Sequence, residues 1–151
     1  MSFQSAELKI RDLASANTTL QADLGTAPFR WFDRQIAQGQ ANNGPCVSVQ
    51  RISTVRAYNQ GGLMPLSAIR LQINIVSYSA ETARQVAADV AAFMATFDLT
   101  NPGAYASPVY ASNHTPNFLV NERAGMFYQL QPPAYVETQD WRIYNVENLP
   151  N

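Results

Sequence analysis

The sequence predicts an α+β fold, a mainly antiparallel β-sheet of four to five strands with helices packed on one face. Three observations predict it. Ile69, Leu71, Ile73 and Ile75 alternate with Arg70, Gln72 and Asn74, so 68–78 reads as a strand with one buried face. The next segment, 80–97, changes period. Ala83, Val86, Ala87, Val90, Phe93, Met94 and Phe97 form one stripe of a helix, with Arg84, Gln85 and Asp89 elsewhere on the cylinder. Further alternating segments stand on either side of this pair, at 46–56 and 134–146.

The elements follow in order. Phe3, Ala6, Ile10 and Leu13 recur at three-and-four spacing, which predicts a helix over 3–16. Thr18 or Thr19 can cap a second, short helix carrying Leu20 and Leu24. Gly25 supplies the left-handed residue that commonly ends a helix, and Pro28 blocks continuation. An aromatic, extended stretch covers 29–36. A polar break over 38–45 ends in the turn signal Asn42-Asn43-Gly44-Pro45. In 46–56, Val47 and Val49 point one way and Ser48 and Gln50 the other. Asn59-Gln60-Gly61-Gly62 reads as a loop, and 57–66 joins two strands into a long hairpin.

Ser79 is a good N-cap, with Glu81 in the first turn, where a helix favours negative charge. Asn101-Pro102-Gly103 opens a loop that runs to about 116. The loops 57–66 and 100–116 are expected to be mobile in the free chain and ordered on assembly, from their Gly, Pro and Asn content. A strand lies within 117–131, Pro132-Pro133 interrupts, and the last strand covers 134–146, where Trp141 and Ile143 alternate with Arg142 and Tyr144. The whole, 1–151, is read as one domain. It has N-terminal helices over 1–24, a sheet over 29–146 that carries helix 80–97, and a frayed tail over 147–151.

At 151 residues, 46% hydrophobic and 14% charged, the composition is globular. The net charge of −1 lacks the basic excess that tight nucleic-acid binding needs. Among the basic residues there is one lysine, Lys9, against nine arginines. This bias mildly favours a protein-contact surface, though arginine-rich codon usage accounts for it equally well. A single cysteine, Cys46, excludes an intramolecular disulfide. The start, MSFQSAELKIRDLASAN, has no signal-peptide pattern, and the apolar runs are far short of the roughly 20 residues of a membrane span.

The chemistry expected from the residues is sparse. His114, the one histidine, sits in a polar loop and reads as solvated. Cys46, beside Pro45, reads as a packed small hydrophobe. Neither has neighbours at metal-ligand spacing, and no phosphate-binding or nucleophile-elbow motif occurs. Glu137 and Asp140, three apart on a strand, face opposite sides and cannot act as a paired acid and base. The strand charges Arg51, Arg70, Glu137, Asp140 and Arg142 read first as ion pairs across the sheet, and otherwise as contacts to a neighbouring subunit. No catalytic residue, cofactor or metal is expected.

A serial pattern remains. Helices ending at Leu24-Gly25 precede Arg30-Trp31-Phe32. Then come Gly44-Pro45-Cys46-Val47-Ser48-Val49-Gln50-Arg51-Ile52-Ser53 and Arg70-Leu71-Gln72-Ile73-Asn74-Ile75-Val76-Ser77-Tyr78-Ser79. A helix opens Ala80-Glu81-Thr82-Ala83, and Phe127-Tyr128 and Trp141-Arg142-Ile143-Tyr144 close the sheet. From about Leu8 to Tyr144 this layout resembles the tail-terminator, or tail-completion, family of siphophages and related particles. The long 100–116 loop and the Pro132-Pro133 break depart from the family's pattern.

The resemblance implies a non-enzymatic virion protein at the head-proximal end of the tail, assembled in the host cytoplasm. It implies a ring, usually of six copies, seated on the tail-tube protein, with the head connector docking above and DNA passing through the lumen. The residues assigned to subunit or partner contacts are Arg51, Arg56, Tyr58, Leu63, Met64, Tyr105, Tyr110 and His114. Three other readings stay open: a head-completion or stopper protein of the same junction, a small α+β enzyme or ligand-binding domain, and a bacterial accessory protein recruited from a prophage, such as a contractile or gene-transfer particle component.

Overall fold

The structure is a computed structural model, and the residues it describes are 5–34, 36, 44–59, 62–97, 99, 117–127 and 134–146. The expectations for Phe3, the 100–116 loop and the 147–151 tail lie outside these residues.

Helix α1 (Ala6–Ser15) starts at Ser5, whose Oγ accepts the Leu8 N–H at 3.3 Å. Ala6, Ile10 and Ala14 are buried, as three-and-four spacing requires of one helix face. Helix α2 (Thr18–Leu24) follows almost at once. Its cap is Asn17 rather than Thr18 or Thr19, with Oδ1 accepting the Leu20 N–H at 3.1 Å. All three residue types cap well, and the tight turn from α1 gives Asn17 the extended backbone a cap needs.

Gly25 ends α2 with φ +80°, and Gly44 enters the sheet with φ +141°. Both approach the Arg30 guanidinium. A Cβ on Gly25 would lie 3.0 Å from Arg30 Nη1, and one on Gly44 2.7 Å from Nη2. Arg30 Nε donates to the Pro45 carbonyl at 2.9 Å and Nη2 to the Asp23 carbonyl at 3.2 Å. This arginine therefore buckles the end of α2 to the start of the sheet, and only glycine leaves room for it.

Five strands form one sheet in the order β1-β2-β3-β5-β4. Strand β1 (Trp31–Asp33) is shorter than the 29–36 stretch and runs parallel to β2 (Cys46–Asn59). The remaining neighbours, β3 (Gly62–Ser77), β5 (Ala134–Val146) and β4 (Phe118–Phe127), are antiparallel. The α+β class is as the periodicity predicts.

The segment 57–66 joins β2 and β3 as a hairpin, as expected, and its described residues, 57–59 and 62–66, are strand rather than loop. Tyr58 pairs with Leu63, and Asn59 with Gly62. Pro65 fits because it falls in the irregularity between the Arg56–Ser67 and Tyr58–Leu63 pairs, where its missing N–H costs no ladder bond.

Helix α3 (Ala80–Met94) has Ser79 as its N-cap, with Oγ accepting the Thr82 N–H at 3.3 Å. It ends earlier than Phe97. Ala95 turns back on Ala92, and Asn117 Nδ2 donates to the carbonyls of Met94 at 2.8 Å and Phe97 at 3.2 Å. The Met94 carbonyl is an orphan acceptor at the helix end, and Asn117, just before β4, satisfies it.

The stripe Val86, Val90, Phe93 and Phe97 joins Ile69, Leu71, Ile73 and Ile75 in one core, together with Trp31, Trp141 and Ile143. Phe93 meets Trp31 edge-on, centroids 6.1 Å apart, and lies 5.1 Å from Phe97. Gln139 is a polar side chain buried in this layer. Gln139 Nε2 donates to the Ala87 carbonyl at 2.8 Å, and its Oε1 accepts Trp141 Nε1–H at 2.9 Å, so its burial is satisfied.

Where α2 meets α3, Asp23 faces Asp89. Burial, then the hydrogen bond and charge of Asp89, push the Asp23 carboxyl up to about 7, from an ordinary 3.8. Its Oδ2 is buried without a hydrogen-bond partner.

Two outcomes follow. Truncating Phe93 to alanine should cost about 3–5 kcal/mol in denaturant unfolding, as large core deletions do. An unchanged unfolding midpoint would mean the stripe is not core. For Asp23, the folded state holds a proton between pH 3.8 and about 7 that the unfolded state has released. Wild-type stability should therefore fall across that window relative to Asp23→Asn, most at its upper end. Parallel melting curves for the two proteins at every pH would contradict the raised Asp23 carboxyl.

Candidate functional site

The helices cover one face of the sheet; the other is polar around Gln72, Asn74 and Thr138, and carries a small second apolar cluster at Val76 and Val136, with Ile36 and Tyr78 packed against it. Cross-strand register places Glu137 opposite Ile75 on the helix side and Asp140 opposite Gln72 on the open side, so the two carboxylates do point apart. On the open side Thr138 Oγ1 donates to Asn74 Oδ1 at 2.8 Å. Arg123 Nη1 reaches Asp140 Oδ2 at 2.8 Å, an ion pair across β4 and β5. The expectation of cross-sheet pairing therefore holds for Asp140.

Arg51 behaves differently. It sits on the helix side, opposite Leu71, and forks onto Glu7 of α1, with Nη2 donating to Oε2 at 2.9 Å and Nε to Oε1. Nη1 also donates to Thr54 Oγ1 at 3.1 Å. Burial pushes the Glu7 carboxyl up, but the hydrogen bonds and charge of Arg51 more than reverse this, so it sits below its ordinary 4.5. The pair ties α1 to the middle of β2.

Of the other proposed contact residues, Arg56 is exposed towards the far end of β2. Tyr58 and Leu63 are cross-strand partners near the hairpin tip, and Met64 follows on β3. Tyr105, Tyr110 and His114 lie outside the described residues. The structure thus gathers Arg51, Arg56, Tyr58, Leu63 and Met64 along one hairpin.

Cys46 is fully buried, and its Sγ–H points to the Gly44 carbonyl at 3.6 Å. Burial pushes its thiol up, with the Arg30 charge opposing, so it is held as the neutral packed group expected of it. Among the described residues no set of three or more His, Cys, Asp and Glu side chains could hold a metal ion. The surface hollows are shallow. One of about 220 Å³ lies beside Glu7, Arg11 and Asp33, and one of about 360 Å³ opens over Asn74 and Thr138.

Among the described residues, exposed apolar side chains gather at the sheet's edges. On β4, Phe118 is 51% exposed, Val120 49% and Leu119 39%. At the opposite edge, Ile52 is 48% and Val55 68% exposed. Each edge carries an irregularity, at Ile52 and at Val120, where an unpaired residue interrupts the ladder. Sequence reading missed these positions. The available signal was the unbroken apolar run Phe118-Leu119-Val120, which an alternating half-buried strand would not contain.

The chain is similar in structure to a protein of the virion of a native gene transfer agent (GTA) particle. The TM-score is 0.64 at 16% sequence identity, and the likeness covers 95% of this chain and 96% of that one. At this identity the likeness shows a shared fold. No protein-family model matches the chain, and no curated protein does. Among the described residues no helix is long and apolar enough to cross a membrane.

The Arg51–Glu7 fork is partly buried and bidentate, so a double-mutant cycle with Arg51→Met and Glu7→Gln should give a coupling of about 1 kcal/mol. Because Glu7 titrates below 4.5, the coupling should be present above that pH and vanish as pH falls through the lowered value. Zero coupling at neutral pH would show that the fork does not hold α1 to the sheet.

Proposed function

We propose that this chain is a structural protein of a phage-like virion, forming the ring that caps the head-proximal end of the tail tube. The observation that carries the reading is the whole-length likeness, over 95% and 96% of the two chains, to a protein of a GTA virion. The sequence layout resembling tail terminators supports the specific position. The surface supports an assembly role: apolar side chains stand exposed at both sheet edges, where copies or partners can bury them.

A tube of stacked rings grows because each ring exposes the surface on which the next one sits. A cap ends growth when its lower face matches the tube ring and its upper face does not. The upper face is then free for the head connector. The ring has six copies in this reading, as the resemblance implies. A chain of net charge −1 also suits a lumen through which DNA must slide, since a basic lining would grip the phosphates. In this role the chain has no reaction to catalyse and needs no cofactor.

Deleting the gene tests this. Electron microscopy of the lysate should show DNA-filled heads without tails, and free tubes of irregular, excess length. Normal-length tails lying unattached would favour a head-completion or stopper protein of the same junction. Normal-length tails joined to heads would overturn both.

A further inference from the structure

We propose that copies of this chain join head to tail by sheet extension, with strand β4 of one copy pairing along the open outer edge of β2 in the next. The proposal rests on the ring reading for its setting and names the contact that would build the ring.

The two ends of the sheet carry it. At one end no described strand lies beyond β4, and its side chains from Phe118 to Met126 are all exposed. A row of unpaired backbone groups next to apolar side chains invites another strand, and soluble proteins usually blunt such an edge with lysine or proline. Strand β4 contains neither. Its two charges are already used within the chain, Arg123 on Asp140 and Glu122 on Gln139.

At the other end β1 pairs with β2 only at Val47, Ser48 and Val49, and the Arg34 N–H closes that patch on the Val49 carbonyl. From Gln50 to Arg56 no described strand covers the outer side of β2, and this is where Ile52 and Val55 are exposed.

Strand direction makes the two ends complementary. Strands β2 and β5 run one way and β3 and β4 the other. Laying a second copy beside the first, with helices on the same side, sets β4 antiparallel to the neighbour's β2. That is the more stable pairing. It also brings the start of β4 towards the far end of the open β2 segment. Phe118 and Val55 both lie on the face away from the helices, by their pairing with Arg142 and Ala68. They therefore meet on one side of the extended sheet, as cross-strand apolar partners do. Pairing of β4 with β4 would stop at a dimer and leave Ile52 and Val55 in water. Pairing β4 with β2 buries both edges and repeats, which is how a heterologous contact closes a ring.

Sedimentation velocity over a concentration series tests this on the full chain. One variant blocks β4 (Phe118→Lys with Val120→Lys) and another blocks β2 (Ile52→Lys with Val55→Lys). All four side chains are exposed, and melting curves confirm that both variants fold. Wild type should form a closed oligomer, and each variant alone should be monomeric. An equimolar mixture should give a heterodimer and nothing larger, because one intact β4 then meets one intact β2. Three results would overturn the proposal: monomeric wild type at every concentration, either variant alone assembling as wild type does, or a mixture that stays monomeric. The deletion lysate separates this from the functional reading. Heterodimers together with normal joined tails keep the edge contact and remove the tail role. Terminator-type tails together with unaffected assembly of the variants do the reverse.

Discussion

The apolar row Ile69, Leu71, Ile73 and Ile75 on β3 must leave water, and α3 is the element that takes it out. Most of the structure is arranged around that burial. Ser79 starts the helix directly after the strand, so the covering element follows the covered one without a long connection. Asn117 takes the helix's last carbonyl, that of Met94. Trp31, from the short parallel strand, and Trp141, from β5, close the sides of the same layer. The N-terminal helices complete the cover and are pinned at two points, by Arg51 on Glu7 and by Arg30 on the carbonyls of Asp23 and Pro45.

The described helices all pack on one face of the sheet. Helix α3 packs mainly on β3 and β5. Side chains on the other face and at the edge irregularity therefore stay in water, Phe118 and Val120 on one side and Val55 on the other. In a protein that works alone such edges are a hazard. In one built to assemble they are the material of the contact, and the same incomplete coverage that costs the monomer stability supplies the driving force for association.

The central part of this architecture was legible in the sequence because burial there is one-sided and regular. The β3 alternation, the α3 stripe and the bounds of β5 all follow from period. Features that depend on distant partners were not legible. Nothing local distinguishes Arg51 as the partner of Glu7, which is 44 residues away. Three residues of β1 are too few to show a period, and their parallel pairing is decided by the chain's return rather than by their own side chains. The hairpin tip read as loop because Gly61, Gly62 and Pro65 are poor strand formers singly, whereas the ladder absorbs Pro65 at an irregularity. Strand β4 hid its role because an edge strand exposed on both faces has no alternation to display. For the proposed contact residues, sequence reasoning reached the hairpin but not the opposite edge that would face it.

A cryo-electron microscopy map of the assembled particle's head–tail junction tests the proposed ring and its edge contact together. It should show a closed ring of this chain between tube and connector, with β4 of each copy beside β2 of the next and Phe118 near Val55 across the contact. Density that places the chain elsewhere in the particle, or copies that touch through their helices with both sheet edges in solvent, would contradict it.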